Sequence, residues 1–200
     1  MVWYVSIFLY IWELFKHWNN TIIITPFQTL DMLWVLVPVW LGWFFAEFFQ
    51  EKKGTSMGNA ITNSIIIVWG SIDCSRQTVR LISTGVLTNF WSIFARFTII
   101  ALILAYGVLI IFFGWKGNPI IKRIGRVREV TYIFAMFVPV FYNVISLSLK
   151  HILAAIIFFP LFYFTIELLD KFTPNPKAMI EDIEEGGKVN LQNKNFGGRI

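Results

Sequence analysis

Residues 90–114 read FWSIFARFTIIALILAYGVLIIFFG, and Arg96 is the single charged residue among them. A helix needs about 20 mostly apolar residues to cross the hydrocarbon core of a bilayer, which is about 30 Å thick. Lipid offers no hydrogen-bond partners to the backbone, so a spanning segment has to satisfy its N–H and C=O groups internally. The segment therefore predicts a transmembrane α-helix.

The composition of the whole chain indicates the same class of protein. Of the 200 residues, 56% are hydrophobic and only 14% are charged. A soluble domain carries about 25% charged residues, so this chain has too few charges to cover a water-facing surface. The single cysteine, Cys74, excludes a disulfide scaffold. We therefore expect an integral membrane protein.

Similar apolar runs recur along the chain. They predict about six transmembrane helices, at residues 2–15, 30–49, 59–81, 90–114, 130–149 and 152–169. Because the first run is short, the alternative is a bundle of five spans with that segment lying in the membrane interface. The expected fold is an all-α, polytopic bundle over residues 1–170, followed by a polar cytoplasmic tail at 171–200.

The positions of the basic residues predict the orientation. Lysine and arginine concentrate after the second, fourth and sixth runs, and these residues are enriched in cytoplasmic loops. Both termini would then be cytoplasmic, in a multi-pass protein of the cell membrane. Basic side chains at that face also attract anionic lipid headgroups. The predicted headgroup contacts are Lys52, Lys53, Lys122, Arg123, Arg126 and Arg128.

The third run differs from the others because polar residues recur along one of its faces. Steps of three or four residues return to the same face of a helix. Such steps connect Asn59, Asn63, Asp73, Gln77 and Arg80, which we call the polar stripe, while isoleucine and valine occupy the opposite face. In lipid the polar stripe must face protein or water. It predicts either a packing surface for neighbouring helices or the lining of a polar pathway.

Asp73 is the strongest candidate for a functional group. A charge near the bilayer centre costs roughly 2.5–3.5 kcal/mol. Long side chains near helix ends reach the headgroups, but a short carboxylate cannot extend that far. The predicted topology gathers three candidate charge partners, Asp31, Arg76 and Arg96, in the same half of the bilayer.

Groups that would support catalysis or metal binding are sparse. The sequence contains two histidines, His17 and His151, and the predicted topology places both in loops. Cys74 has no histidine base nearby in sequence, so we interpret it as a small buried residue. The short motifs of zinc proteases, redox dithiols and serine hydrolases do not occur. We predict no catalytic residue, no cofactor and no metal, in a protein that is not an enzyme.

Two functions fit these features. The first is permeation or transport of an ion or small polar solute along the polar stripe, with Asp73 coordinating the ion or carrying a proton. Since 200 residues enclose little space, we expect such a protein to form a homo-oligomer. The alternative is a non-catalytic subunit or scaffold of a larger membrane complex, in which the stripe docks a partner. No nucleic-acid partner is expected, because the basic loops of a membrane protein account for the net charge of +5.

Overall fold

The computed structural model of the protein describes residues 3–51 and 54–173. Within these ranges the chain is helical apart from short connections and contains no β-strand. The helices there are α1 (Trp3–Ile23), α2 (Leu30–Phe45), α3 (Met57–Ser83), α4 (Phe90–Trp115), α5 (Ile121–Ile124), α6 (Val127–Phe141) and α7 (Leu149–Phe172). A 3-10 turn, Thr25–Phe27, precedes α2, and a π-helical turn, Ala46–Gln50, continues it. The predicted all-α fold is confirmed.

Three helical segments of the described chain are long and apolar enough to cross a membrane: Leu30–Gln50, Phe90–Trp115 and Leu149–Phe172. They coincide with the second, fourth and sixth predicted spans. The three segments fit a membrane protein with transmembrane helices. A total of six spans and cytoplasmic termini stay predictions, as does the division of the chain into bundle and tail. Residues 174–200 of the predicted tail lie outside the described residues.

Helix α6 lies at the centre of the bundle. It packs against α1, α2, α3 and α7, and twelve of its fifteen residues are buried. Burial on nearly all sides requires neighbours around the helix. Fifteen residues rise only about 22 Å, so neighbouring helices rather than lipid cover most of its length.

The peripheral helices expose apolar side chains. Leu102 on α4 is 65% exposed and Phe164 on α7 is 71% exposed. On α3, Ile65 and Ile72 are exposed on the face opposite the polar stripe. Extended apolar surface of this kind marks a face that contacts membrane or another protein.

The fifth and sixth predicted spans meet at a different place from the one expected. Helix α6 ends at Phe141, eight residues before the predicted end of the fifth span. Asn143 follows with a positive φ of 60°, a left-handed conformation that commonly ends helices. Helix α7 begins at Leu149, where the side chain of Ser148 accepts a hydrogen bond from the backbone N–H of His151 at 3.2 Å. An N-terminal cap of this kind satisfies a backbone donor that the helix leaves free.

Candidate functional site

Asp73 is buried towards the end of α3 and contacts two partners. Its Oδ1 accepts a hydrogen bond from Nη2 of Arg76 at 2.6 Å, and its Oδ2 accepts one from the hydroxyl of Tyr142 at 2.7 Å. Arg76 follows three residues later on the same helical face, which explains the local ion pair. Asp73 is only 6% exposed, whereas the Arg76 side chain is 70% exposed. We call these three residues the Asp73 cluster.

A surface pocket of about 390 Å³ lies beside the Asp73 cluster. It is lined by Leu30, Asp31, Trp34, Arg76, Gln77, Arg80 and Tyr142. In its wall, Nη1 of Arg80 lies 3.4 Å from Oδ2 of Asp31, and both side chains are exposed. Exposed pairs contribute only about 0–1 kcal/mol, so this pair can open at little cost. The structure thus brings Asp31, Gln77 and Arg80 to the Asp73 cluster.

Arg96 binds the end of α6 instead of Asp73. Its guanidinium donates hydrogen bonds to the carbonyl of Val140 and, at 2.8 Å, to Oδ1 of Asn143. The last carbonyls of a helix lack partners within the helix, and a cation there also opposes the helix dipole. Arg96 is 2% exposed. It therefore fastens α4 to the C-terminal end of α6.

Asn63, at the opposite end of the polar stripe, belongs to a second cluster. Its side-chain amide donates to Oε1 of Glu51 at 2.8 Å and to the carbonyl of Gly125 at 2.9 Å. Oε2 of Glu51 also accepts hydrogen bonds from the hydroxyl of Thr55 at 2.7 Å and from the N–H of Val127 at 3.3 Å. We call Glu51, Thr55 and Asn63, all buried, the Glu51 cluster. It joins the connection between α2 and α3 to α3 itself and to the start of α6.

Arg128, which the sequence assigned to lipid headgroups, lies inside the protein. Its side chain is 4% exposed. It donates from Nε to Oε1 of Glu47 at 2.7 Å and from Nη1 to Oε2 of Glu167. The Glu47 side chain is only 1% exposed. Desolvating an ion costs several kcal/mol, so each charge of this buried pair depends on the other. The guanidinium is consequently occupied by carboxylates.

Sequence reasoning overlooked the pairing of Arg128, although one signal was available. Glu47 and Glu51 lie four residues apart, on one face of an apolar helix, where carboxylates need donors or cations from elsewhere in the chain. The basic run after α4 supplies such a cation. Which member of that run turns inward depends on how α6 packs, and that is not a local property.

An apolar layer interrupts the polar stripe between Asn63 and Asp73. These residues are ten positions apart, about 15 Å along the helix. Between them lies Gly70, where an added Cβ would stand 2.3 Å from Cε1 of Phe134. Phe134 is 2% exposed, so its ring occupies the space that the glycine leaves. The two ends of the stripe are therefore separated by close packing between α3 and α6.

A second pocket, of about 690 Å³, lies at the start of α3. It is lined by Gly54, Thr55, Ser56, Lys122, Arg123, Arg126, Glu129 and Tyr163, and we call it the basic pocket. Three of the six predicted headgroup contacts, Lys122, Arg123 and Arg126, meet in its wall. Lys52 and Lys53 lie outside the described residues. Asn59, in the first turn of α3, is partly exposed.

The two histidines do not lie in loops, so that prediction was wrong. Helix α1 continues well past the apolar run at 2–15 and contains His17, while His151 lies in the first turn of α7. Nε2 of His17 is 3.0 Å from Nδ1 of His151, and Nε2 of His151 is 3.1 Å from the carbonyl of Met136. These contacts bring α1, α7 and α6 together. The α1 extension is held in place by packing that the sequence did not reveal, including a hydrogen bond from Nε1 of Trp18 to the hydroxyl of Tyr132.

The chemistry of the candidate site consists of hydrogen bonding and charge. In residues 3–51 and 54–173, no group of three or more His, Cys, Asp or Glu side chains is arranged to hold a metal ion. Cys74 is a buried free thiol. No known protein family, curated protein sequence or solved structure matches the chain.

Proposed function

We propose that the protein is a non-enzymatic, six-span protein of the cell membrane, with cytoplasmic termini, that moves an ion or small polar solute along the polar stripe of α3. Three apolar helices support the membrane setting. Helices α1, α3 and α6 pack among them, and each would cross where neighbouring helices cover its polar groups. The concentration of basic residues at the start of α3 and after α4 supports cytoplasmic placement of that end.

The observation that carries the proposal is a pair of polar clusters about 15 Å apart along α3, each with a buried carboxylate and each beside a pocket. The Asp73 cluster borders the pocket of about 390 Å³. The Glu51 cluster borders the basic pocket through Thr55. The packing of Phe134 against Gly70 closes the stripe between them. Apolar constrictions of this kind close membrane pathways by excluding water.

Movement of the Phe134 ring would join the two ends. Asp73 would attract a cation or accept a proton, and its bond to the exposed Arg76 offers a partner that can leave for solvent. Gln77, buried in the pocket wall, would supply neutral hydrogen bonds. On the far side of the Phe134 ring, Asn63 and Glu51 would receive the solute.

The alternative, a subunit or scaffold that docks partners through the stripe, needs that face to be free. Asn63, Asp73 and Gln77 are buried within the chain itself. Their burial argues against a docking surface for an external partner. A homo-oligomer stays part of the proposal, because the exposed apolar faces of α4 and α7 can meet another copy as well as lipid.

Flux measurements test the proposal. The full chain is reconstituted into liposomes, and potassium, sodium, chloride and proton fluxes are recorded with ion-sensitive dyes. We expect the protein to raise at least one flux above that of protein-free liposomes, Asp73→Asn to abolish it, and Phe134→Ala to increase it. Asp31→Asn is the matched control, because Asp31 lines the same pocket but is exposed. It should keep most of the flux.

Three outcomes would contradict the proposal or a part of it. Fluxes at the protein-free level for both the wild-type chain and Phe134→Ala would refute transport of these ions. Asp73→Asn that assembles normally and conducts like the wild type would remove Asp73 from the mechanism. A partner that co-purifies with the wild-type chain and is lost from Asp73→Asn, without flux in either, would support the docking function.

A further inference from the structure

The basic pocket gathers three cations from one short segment of the chain. Lys122 and Arg123 lie on α5, a single helical turn whose buried Ile121 anchors it to the core. Arg126 follows just before α6, and its guanidinium donates a hydrogen bond to the hydroxyl of Tyr163 on α7. In the described part of the chain, no ion pair joins Lys122, Arg123 or Arg126 to a carboxylate, in contrast to Arg128. Lys122 and Arg123 are exposed, so their charges are available to a ligand, and Arg126 lies beside them in the pocket wall.

The pocket also contains a carboxylate, which restricts the ligand further. Glu129 lines the pocket, and its Oε2 is buried without a hydrogen-bond partner among the described residues. Leaving a buried acceptor unsatisfied costs about 1–3 kcal/mol, and more when the group is charged. A ligand that presents only phosphate oxygens would add repulsion at this point. One that carries a hydroxyl donor beside its phosphate would satisfy the acceptor once the Glu129 side chain turns towards the pocket, because Oε2 is itself buried.

The net charge and the size of the basic pocket indicate the class of ligand that fits it. Three cations and one carboxylate favour an anion over a zwitterion. The volume of about 690 Å³ falls within the range of about 300–1,000 Å³ typical of small-ligand sites. The first turn of α3, capped by Ser56, adds the positive end of a helix dipole to the same wall.

The surroundings of the pocket favour a lipid as the source of this anion. The segment that carries Lys122 and Arg123 leaves α4 next to Trp115, which is 91% exposed. Nζ of Lys116 lies 4.4 Å from the centre of the Phe112 ring. Exposed tryptophan next to lysine at the end of an apolar helix is typical of the level of the headgroups. We infer that the basic pocket binds the anionic, hydroxyl-bearing headgroup of a phospholipid, with its phosphate at Lys122, Arg123 and Arg126 and a hydroxyl at Glu129.

Native mass spectrometry of the full chain in detergent, titrated with phosphatidylglycerol, tests this inference. Lys122→Gln/Arg123→Gln removes two exposed cations and leaves the contact of Arg126 with Tyr163 in place. We expect it to weaken binding by at least about tenfold, because hydrogen bonds to charged groups are among the stronger ones. The matched control, Lys116→Gln/Lys171→Gln, removes the same charge outside the pocket and should change the affinity by less than about threefold, because exposed charges are screened. Equal losses of lipid affinity in both variants would overturn the site and would indicate diffuse electrostatic attraction instead.

Two further titrations test the ligand class. Phosphatidic acid, which lacks the headgroup hydroxyls, should bind the wild-type chain more weakly than phosphatidylglycerol, and Glu129→Gln should reduce that difference. Equal affinity for the two lipids in the wild-type chain would overturn the role of Glu129. Soluble glycerol phosphate that displaces the lipid at equal concentration would overturn a lipid source in favour of a free phosphate ester. These binding measurements do not depend on flux, so their failure is separate from failure of the proposed transport.

Discussion

Replacing Arg128 by methionine should destabilise the protein strongly, because it leaves Glu47 buried without its cation. The two side chains are 4% and 1% exposed, and Nε of Arg128 lies 2.7 Å from Oε1 of Glu47. Methionine preserves much of the side-chain volume, so the lost charge dominates. Removing one partner of a buried ion pair costs about 3–5 kcal/mol, and we expect Arg128→Met to lose that much unfolding free energy.

An exposed ion pair in the same protein provides the control. Nζ of Lys150 lies 3.3 Å from Oε2 of Glu13, and these side chains are 42% and 58% exposed. Lys150→Met should cost no more than about 1 kcal/mol, because water screens such a pair. Both ion pairs join residues far apart in the chain, but Arg128 is buried and also contacts Glu167, whereas Lys150 and Glu13 are exposed.

The measurement is unfolding in mixed micelles, titrated with a denaturing detergent and followed by far-ultraviolet circular dichroism. The double variant Arg128→Met/Glu47→Leu completes a thermodynamic cycle. The double variant removes the carboxylate that Arg128→Met leaves unpaired. Its loss of unfolding free energy should therefore be smaller than the sum of the losses in the two single variants by about 0.5–3 kcal/mol. The reasoning is refuted if Arg128→Met and Lys150→Met lose similar free energies, or if the single losses simply add.

Two other changes test the packing and the helix ends. Gly70→Ala should lose about 1–3 kcal/mol in the same unfolding assay, since its new Cβ would collide with the buried ring of Phe134. Gly58 lies in the first turn of α3, and a Cβ there would make only ordinary contacts. Gly58→Ala should therefore leave the unfolding free energy unchanged or raise it by up to about 1 kcal/mol. A similar loss of unfolding free energy at both glycines would contradict the close packing at Gly70. Asn89→Ala should lose about 0.5–2 kcal/mol, because the Asn89 side chain caps α4 by accepting a hydrogen bond from the N–H of Ser92 at 3.1 Å. Asn89→Ser should retain most of that stability. An Asn89→Ala variant with the unfolding free energy of the wild type would show that the cap contributes nothing.

Features that depend on neighbouring residues could be predicted from the sequence. The apolar run at 90–114 predicted α4 because its length and composition suffice for a spanning helix. The pairing of Asp73 with Arg76 follows from their spacing along one helix. The polar stripe also followed from periodicity, and most of its residues are buried as that pattern required.

Contacts between distant parts of the chain could not be predicted in this way. Tyr142, the second partner of Asp73, lies 69 positions away. Glu47 and Arg128 are 81 positions apart. The expectation that Arg128 faces lipid came from its place in a basic run, and composition does not say which member of a run turns inward. The histidine contact required α1 to continue as a helix through polar residues, and its contacts with α6 and α7 stabilise this part of the helix.

By itself, the amino-acid sequence determined that the chain is helical, apolar and equipped with one polar helix face, because hydrophobic content and helical periodicity are local properties. The tertiary structure decided which charges are buried together and where the polar face is closed. The physical reason is that a buried charge is stabilised by whichever partner the packed helices bring within hydrogen-bonding distance. In this protein several of those partners, among them Arg128 and the carbonyl of Val140, come from α6, which packs against α1, α2, α3 and α7.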